Sequence, residues 1–376
     1  PDWRTFASTF FDDASKGVSP DQVSALSSDP FSRMIEVYAD EKARYEDFNQ
    51  AVDDQIALSG AYPIGGLNHS KVGLERWMMS NPPSFFAKFF YIFAIVLGLI
   101  FFAVGGSHLR NAVWSILLAA VVVHSIGLLC RIYITGRAPV INIYSSAVFI
   151  GWAAAIGGLI IDRIYKLGFG NMLAATAGTL SLFVANGLSD GDTMPVLQAV
   201  LDTQFWLATH VISVSLGYVA TMVAGLLGVG YLITNWIGKE EQYGRSVYRM
   251  VYGATCFGIL FSTVGTILGG LWADDSWGRF WGWDPKENGA LLIVIWNALM
   301  LHARWDSMVK ARGFAILAIG GNIVTAWSWF GTNELGIGLH SYGFTEGVLF
   351  WLTTFIVSQM VMIVAGVAIW RRPAAT

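Results

Sequence analysis

The sequence predicts an all-α fold, a polytopic membrane bundle with about nine transmembrane helices. Composition is the first observation behind this prediction. Hydrophobic residues make up 55% of the chain and charged residues 13%, whereas soluble domains average about 25% charged residues. The mean hydropathy of +0.54 also excludes an ordinary soluble protein. Most of the chain is therefore predicted to be surrounded by the lipid bilayer.

The second observation is a series of apolar runs that are long enough to cross a bilayer, which takes about 20 helical residues. They lie at 85–106, 111–134, 142–165, 170–188, 206–234, 247–271, 288–309, 313–333 and 347–370. An odd number of spans places the two ends of the chain on opposite sides of the membrane. We therefore divide the chain into a segment 1–84, a first span at 85–110 and a membrane domain at 111–376.

Basic residues predict the orientation, because short cytoplasmic connections are enriched in lysine and arginine. One set of connections carries eleven basic residues and the opposite set carries four. The richer set includes the tail, so the C-terminus is predicted to be cytoplasmic. The segment 1–84 and the loop around His340 are then extracytoplasmic. The four basic residues in the outer connections between spans are Arg131, Arg137, Arg279 and Lys286.

The segment 1–84 is polar and charged, with a helix-like stretch at about 30–58 and turn signals at 62–66 and 81–83. It contains no catalytic constellation, and we expect His69 to be solvated. No apolar run within it could export it across a membrane. We therefore expect that residues precede it, and we favour the later part of a longer polypeptide over a cleaved signal peptide as the explanation.

Missing motifs exclude several functions. Cys130 and Cys256 both lie in apolar spans, so neither is expected to form a disulfide. The sequence has no C-x-x-C-H motif, so the chain is not itself a c-type cytochrome. The sequence contains no P-loop, so nothing in it indicates nucleotide hydrolysis. No feature of the sequence predicts a nucleic acid partner.

The segment 271–289, LWADDSWGRFWGWDPKENG, is the richest in chemistry, and we call it the tryptophan segment. Its four tryptophans within twelve residues are Trp272, Trp277, Trp281 and Trp283. Tryptophan collects at membrane interfaces in general, but this alternative explains scattered residues better than a cluster. Glycines at 278 and 282 allow a ligand to approach the backbone closely. The segment predicts a flat aromatic surface for a large planar ligand.

Two histidines flank the tryptophan segment. His210 lies one turn inside the 206–234 span, four residues after Trp206 and so on the same helix face. His340 lies in a glycine-rich outer loop, GIGLHSYGF. A single interfacial histidine is more often only a hydrogen-bonded polar residue. Two of them around an aromatic surface favour a bis-histidine haem site, since histidine is a common ligand of haem iron.

Charged residues near this surface have two interpretations. Arg131 and Arg137 lie outside against the orientation rule, so we predict that they meet the propionates of a haem. The alternative is that they pair with lipid phosphates or nearby carboxylates. Asp284 is predicted to fix the tryptophan segment or the propionates, or to cap the helix that follows at Pro285.

His302 belongs to a second predicted site. It lies about 14 residues inside the 288–309 span, which is about 20 Å deeper at 1.5 Å per residue. An ionisable residue inside a span is a functional hypothesis by default, and the adjacent Arg304 leaves a simple interfacial position as the alternative. His124 lies at a different depth, so we expect the partner ligand to come from outside this chain. His108 is predicted to be a solvated loop residue.

The motif WGRFWGWDPKE resembles the WWD signature of the haem-handling family that includes CcsA, CcmC and CcmF. Further segments within 111–370 resemble the CcsA proteins, the membrane component of the system II cytochrome c synthase, in the expected order. They are GRAPVINIYSSAVFIGW at 136–152, WLATHVISVSLGY at 206–218, HARW at 302–305 and GLHSYG at 338–343. The sequence departs from many relatives at Asn288 and Gly289, where they have a threonine and a tryptophan.

The resemblance implies haem b as both ligand and substrate of a holocytochrome c synthase, or haem lyase. Haem would cross the membrane past His302 and be held outside between His210 and His340, the catalytic pair and axial ligands. There the thiols of the CxxCH motif of an apocytochrome c would form thioether bonds with it. A CcsB or ResB-like subunit, or a fused upstream portion ending in 1–84, would supply the other inner ligand. The implied location is the bacterial inner membrane or the thylakoid membrane.

Three other functions remain as alternatives. A CcmC-like protein would deliver haem to a chaperone without attaching it, and the CcsA-like segments argue against this. A b-type cytochrome that passes electrons across the membrane would need two complete histidine pairs, and the inner pair is incomplete. A solute transporter would leave the arrangement of histidine and tryptophan unexplained.

Overall fold

The computed structural model describes residues 33–34, 37–38, 44–61, 68–189, 193–197, 199–338, 340 and 347–369. Some sequence predictions fall wholly or partly outside these residues. They are the start of the helix-like stretch at 30–58, the turn at 62–66, the tail arginines Arg371 and Arg372, and the end of the GLHSYG segment. The side chain of His69 also lies outside the description.

The chain separates into two units, Pro1–Ser70 and Lys71–Thr376. In the first unit the described residues form helix α1, Tyr45–Ala61. Asp47 in its first turn accepts a hydrogen bond from the backbone N–H of Arg44 at 3.1 Å, which fixes the start of the helix. The predicted functional division at residue 84 stays a prediction.

The described residues of the second unit form helices joined by loops, and they contain no strand. Its helices are α2 His69–Ser80, which begins in the first unit, α3 Pro83–Val104, α4 Ser107–Thr135, α5 Ile143–Tyr165, α6 Phe169–Gly187, α7 Gln204–Trp236, α8 Glu240–Trp277, α9 Pro285–Trp305, α10 Ala311–Ala326 and α11 Val348–Ala368. A π-helical turn, Trp327–Gly331, and a short turn, Thr332–Glu334, continue α10. The predicted all-α bundle is confirmed.

Seven helical segments of the described residues are long and apolar enough to cross a membrane. They are Ser70–Val104, Ser107–Thr135, Ile143–Tyr165, Gln204–Trp236, Glu240–Trp277, Ala311–Glu334 and Val348–Ala368. The other two predicted spans, 170–188 and 288–309, fold as α6 and α9. Asparagines in α6 and the charged ends of α9 lower their hydropathy. The chain is therefore a polytopic helical membrane protein, and the count of nine spans stays a prediction.

Helices α7 and α8 form an antiparallel pair that positions the functional site. Glycines bring the two backbones together, because a Cβ on Gly265 of α8 would lie 2.5 Å from the backbone nitrogen of Val214 on α7. Small residues allow such close packing in membranes, where lipid tails provide no hydrophobic drive for helix association. The start of α7 thus lies directly against the last turns of α8.

Candidate functional site

A cavity lies where α7 begins and α8 ends. Its walls come from the start of α5, the turn before α7, the first turns of α7, the tryptophan segment, the π-helical turn and His340. The volume of this cavity is about 200 Å³, and it opens through a mouth to the surroundings of the chain. We call it the outer cavity, after its predicted side of the membrane. Segments far apart in the sequence thus meet at one concave site.

His210 lines the outer cavity from α7. Its Nδ1 lies 2.8 Å from the carbonyl oxygen of Gly265, so this nitrogen carries the proton and donates it. A Cβ on Gly269 would lie 2.5 Å from the imidazole ring, so only glycine leaves room for the ring there. Trp272 packs beside the ring at a centroid distance of 5.8 Å. Because Nδ1 is the donor, Nε2 keeps the lone pair that a metal ion requires.

His340 lines the same cavity from the loop after α10. Gly338 in this loop has a φ of 93°, which a residue with a side chain rarely adopts. The imidazole meets Trp277 edge-on, with ring centroids 5.7 Å apart and planes at 88°. Its Nδ1 lies 3.3 Å from Oδ2 of Asp284. The structure therefore brings together the two histidines that the sequence predicts as a pair.

The tryptophan segment forms walls rather than the predicted flat surface. Trp272, Trp277 and Trp281 line the outer cavity, whereas Trp283 does not. Trp283 is 72% exposed and meets Trp281 edge-on, with planes at 86°. The physical reason is the chain direction, since α8 ends at Gly278 with a φ of 68° and Trp283 itself has a φ of 57°. This turn directs the fourth indole away from the cavity.

Asp284 is the N-cap of α9, as the sequence predicts for one of its two roles. Its Oδ1 accepts the backbone N–H of Lys286 at 2.8 Å. Oε2 of Glu287 in turn accepts the backbone N–H groups of Asp284 at 3.1 Å and Gly282 at 2.8 Å. This capping box ties the end of the tryptophan segment to α9. Asp284 is 5% exposed and also faces His340.

Arg131 and Arg137 are not among the residues that line the outer cavity. Arg131 lies over the ring of Tyr144 at 4.9 Å and donates to Oγ1 of Thr193 at 3.1 Å and to the Thr193 carbonyl. Nε of Arg137 lies 3.8 Å from Oδ1 of Asp202. Their predicted contact with the propionates of a haem stays a prediction. Arg137 thus shows the alternative pairing with a carboxylate.

His302 lies away from the outer cavity, in the last turn of α9. It is 17 residues after Pro285, or about 25 Å along the helix axis at 1.5 Å per residue. Its side chain is 72% exposed on this chain and lies 3.4 Å from Asp306. His124 is buried and its Nδ1 lies 3.2 Å from the hydroxyl of Tyr91. That His124 does not pair with His302 stays a prediction. His108 is exposed in the first turn of α4.

Sequence reasoning missed Trp329, which also lines the outer cavity. Its indole Nε1 donates to Oγ of Ser146 at 3.0 Å, and its carbonyl accepts from Nζ of Lys286 at 2.5 Å. Trp329 lies in the π-helical turn, and single π-helical turns occur often at functional sites. No periodic pattern in the sequence predicts such a turn. The paired tryptophans of WSWFG were the available signal.

The helical membrane fold and this cavity of histidine and tryptophan define the class of protein. The chain belongs to the family of cytochrome C assembly proteins, whose family model matches residues 140–340. Every residue that lines the outer cavity lies within this match. Family membership assigns the chain to cytochrome c biogenesis.

Similar proteins agree with this assignment. The chain is 28% identical over 294 residues to the cytochrome c biogenesis protein CcsA of Synechococcus sp. (strain CC9605), a match that covers 68% of this chain and 94% of the relative. It is 31% identical over 254 residues to the CcsA of Prochlorococcus marinus (strain MIT 9312), covering 58% of this chain and 81% of the relative. The resemblance to CcsA proteins predicted from the sequence is confirmed.

A solved structure shares the fold. The chain superposes on the cytochrome c haem lyase CcmF with a TM-score of 0.56 and 15% sequence identity. The match covers 77% of this chain and 50% of that chain, so this chain spans half the length of CcmF. At this identity the likeness is one of fold alone.

Proposed function

We propose that this chain binds haem in the outer cavity between His210 and His340 and presents it for attachment to apocytochrome c. It would act as a cytochrome c synthase together with a CcsB or ResB-like portion. The observation that carries this proposal is that both histidines and three of the four tryptophans line one cavity. Family membership in cytochrome c assembly supports the same chemistry. Haem is the substrate in this account.

The donor set suits haem iron. The macrocycle supplies four nitrogens, so the protein needs to supply only two axial ligands, and imidazoles are common in this role. A protonated Nδ1 tied to an oxygen acceptor fixes an imidazole's tautomer and its orientation toward a metal. His210 has such a partner in the carbonyl of Gly265 at 2.8 Å. The aromatic walls offer large apolar contact area to a planar ligand.

The residues of the cavity position haem and the peptide relative to each other. In thioether formation, a cysteine thiol adds across a vinyl group: sulfur bonds to one vinyl carbon and the thiol hydrogen ends on the other. The cavity has an open mouth, at which we propose that the vinyl edge meets the CxxCH peptide. Holding both reactants together makes the step effectively intramolecular, which lowers the barrier by several kcal/mol. The histidine of CxxCH then replaces one of the two axial ligands.

We propose that haem reaches the outer cavity from the cytoplasmic side past His302. This histidine is exposed on the surface of the chain, where a histidine of the CcsB or ResB-like portion can face it. The separation of about 25 Å along α9 fits two haem positions at different depths. The excess of basic residues in one set of connections supports an extracytoplasmic outer cavity in the bacterial inner membrane or the thylakoid membrane.

A maturation assay tests the proposal. The His210→Ala and His340→Ala variants are each produced with the CcsB or ResB-like portion and a reporter apocytochrome c, and covalent haem is measured by peroxidase staining of denaturing gels. We expect both variants to abolish maturation and added imidazole to restore part of it. His108→Ala is the matched control, because this histidine is exposed at the start of α4, and we expect it to mature the reporter normally.

Two outcomes would contradict the synthase account. Normal maturation in both cavity variants would remove the outer haem site. Haem transfer to a chaperone without thioether formation by the wild type would replace the synthase with a delivery protein of the CcmC kind.

A further inference from the structure

One carboxylate connects the start of α9 with the loop that carries His340. Oδ1 of Asp284 accepts the backbone N–H of Lys286 at 2.8 Å, which is its capping role. Oδ2 of the same carboxylate lies 3.3 Å from Nδ1 of His340, and the Asp284 side chain is 2% exposed. Each oxygen therefore has its own neighbour, one on the helix and one on the loop.

Nδ1 of His340 is a buried polar atom that requires a hydrogen-bond partner. Within the described part of the chain, its Nδ1 is shielded from solvent and makes no aligned hydrogen bond. A buried polar group left unpaired costs about 1–3 kcal/mol. Oδ2 of Asp284 is close enough that a small rotation of the imidazole gives a hydrogen bond. Nδ1 of His340 therefore requires a hydrogen-bond acceptor, and Oδ2 of Asp284 is the acceptor within reach.

The loop backbone holds this arrangement in place. Gly338 has a φ of 93°, and a Cβ at this position would overlap Oδ2 of Asp284. The loop therefore packs directly on the carboxylate, at a position where only glycine fits. The distance between Asp284 and His340 depends on this contact as well as on the two side chains.

We propose that Asp284 is the positioning residue of His340: its carboxylate accepts the Nδ1 proton and directs Nε2 into the outer cavity. The inference rests on the proposed haem site and deepens it. A carboxylate behind a ligating histidine fixes the tautomer and raises the basicity of the ligand. His210 is tied to a neutral carbonyl instead. His340 is therefore the stronger electron donor of the two ligands.

The Asp284→Asn variant separates this role from capping, because asparagine caps a helix about as well as aspartate but carries no charge. The measurement is a haem titration and a redox titration of the whole chain reconstituted in nanodiscs. We expect the affinity for ferric haem to fall about tenfold, within the range for loss of such a partner. Because the loss is larger for the ferric than for the ferrous state, the midpoint potential rises, by up to about 59 mV for a tenfold change in a one-electron couple.

A second variant reaches the same contact from the loop. Gly338→Ala places a methyl group against the carboxylate of Asp284, so that we expect the loop and the carboxylate to separate, while the residue that caps α9 is unchanged. We expect the same rise in midpoint potential as in Asp284→Asn. This variant keeps the inference testable if Asp284→Asn does not fold.

Asp202→Asn is the matched control. It removes a 45% exposed carboxylate next to Arg137 that does not line the cavity, and we expect an unchanged potential. Wild-type affinity and potential in Asp284→Asn and Gly338→Ala would overturn the positioning role alone, provided that His210→Ala and His340→Ala still lose the six-coordinate spectrum. If those two histidine variants keep it, the haem site and the positioning role both fail.

Discussion

His210 and His340 reach the outer cavity from two different kinds of structure. His210 lies on α7, its Nδ1 bonded to a carbonyl of the neighbouring α8 at 2.8 Å and its ring enclosed against Gly269. His340 lies on a loop with glycines of positive φ at 336 and 338, is 26% exposed and faces the carboxylate of Asp284. One histidine is fixed by a helix pair and the other by a loop and one side chain.

This difference indicates how a ligand exchange can work. The proposed reaction requires the histidine of CxxCH to replace one axial ligand. Moving His340 disturbs a loop and one carboxylate contact, whereas moving His210 breaks its bond to Gly265 and its packing against Gly269 of α8. We therefore expect His340 to be the ligand that leaves.

Separating α7 from α8 has the largest expected effect. In Gly265→Ala the new Cβ would lie 2.5 Å from the backbone nitrogen of Val214, so the helices must move apart and the acceptor of His210 moves with them. We expect loss of haem binding and a loss of about 1–3 kcal/mol in stability, as in other overpacked sites. Haem titration and thermal unfolding in detergent measure both.

Gly253→Ala is the matched control on the same helix, because nothing lies within 4 Å of its added Cβ. We expect it to retain haem binding and to gain about 0.5–1 kcal/mol in helix stability. Equal loss of haem binding in both variants would contradict a specific role for the contact between α7 and α8 in holding His210.

Substitution of a tryptophan in the cavity wall is expected to have the next largest effect on haem binding. Trp277 lines the cavity and packs on His340 at 5.7 Å, so Trp277→Ala is expected to weaken haem affinity about tenfold, or about 1.4 kcal/mol. Trp283 is 72% exposed and outside the cavity, so Trp283→Ala is expected to leave the affinity unchanged. Haem titrations compare the two. A larger loss of haem affinity in Trp283→Ala than in Trp277→Ala would instead support the flat aromatic surface predicted from the sequence.

Imidazole rescue distinguishes the two ligands directly. His340→Ala opens the cavity on its loop side, so we expect imidazole to restore its six-coordinate spectrum at a several-fold lower concentration than in His210→Ala. Absorption spectra during an imidazole titration give both midpoints. A lower midpoint for His210→Ala would reverse the assignment of the leaving ligand.

The smallest expected effect on haem binding is at the π-helical turn. Ser146→Ala removes the acceptor of the Trp329 indole, which lies at 3.0 Å, and is expected to cost about 1–3 kcal/mol and to weaken haem binding slightly. Ser125→Ala removes a similar bond, from Trp152 at 2.8 Å, outside the cavity. Thermal unfolding should shift in both variants and haem affinity in Ser146→Ala alone. A shift of affinity in Ser125→Ala would contradict the local role of Trp329.

Most of the fold could be predicted from the sequence, because apolar runs of bilayer length have few alternatives to helix. The meeting of His210 and His340 could also be predicted, since both flank the tryptophan segment on the same predicted side. The outward direction of Trp283 could not, because it depends on the backbone turn after Gly278. Trp329 was missed because a π-helical turn leaves no periodic signal.

The two arginines show a different limit of sequence reasoning. The orientation rule identified Arg131 and Arg137 as exceptions that needed a partner. It could not say that the partners would be Thr193, Tyr144 and Asp202, because those contacts depend on how the connecting loops fold over the helix ends.

The most direct test of the central claim is the reduced-minus-oxidised absorption spectrum of the reconstituted chain with haem, as wild type and with His210 and His340 both changed to alanine. The account predicts a six-coordinate b-type spectrum in the wild type that is lost in the double variant and retained in His108→Ala. An unchanged spectrum in the double variant, or no haem in a wild type prepared with its CcsB or ResB-like portion, would contradict it.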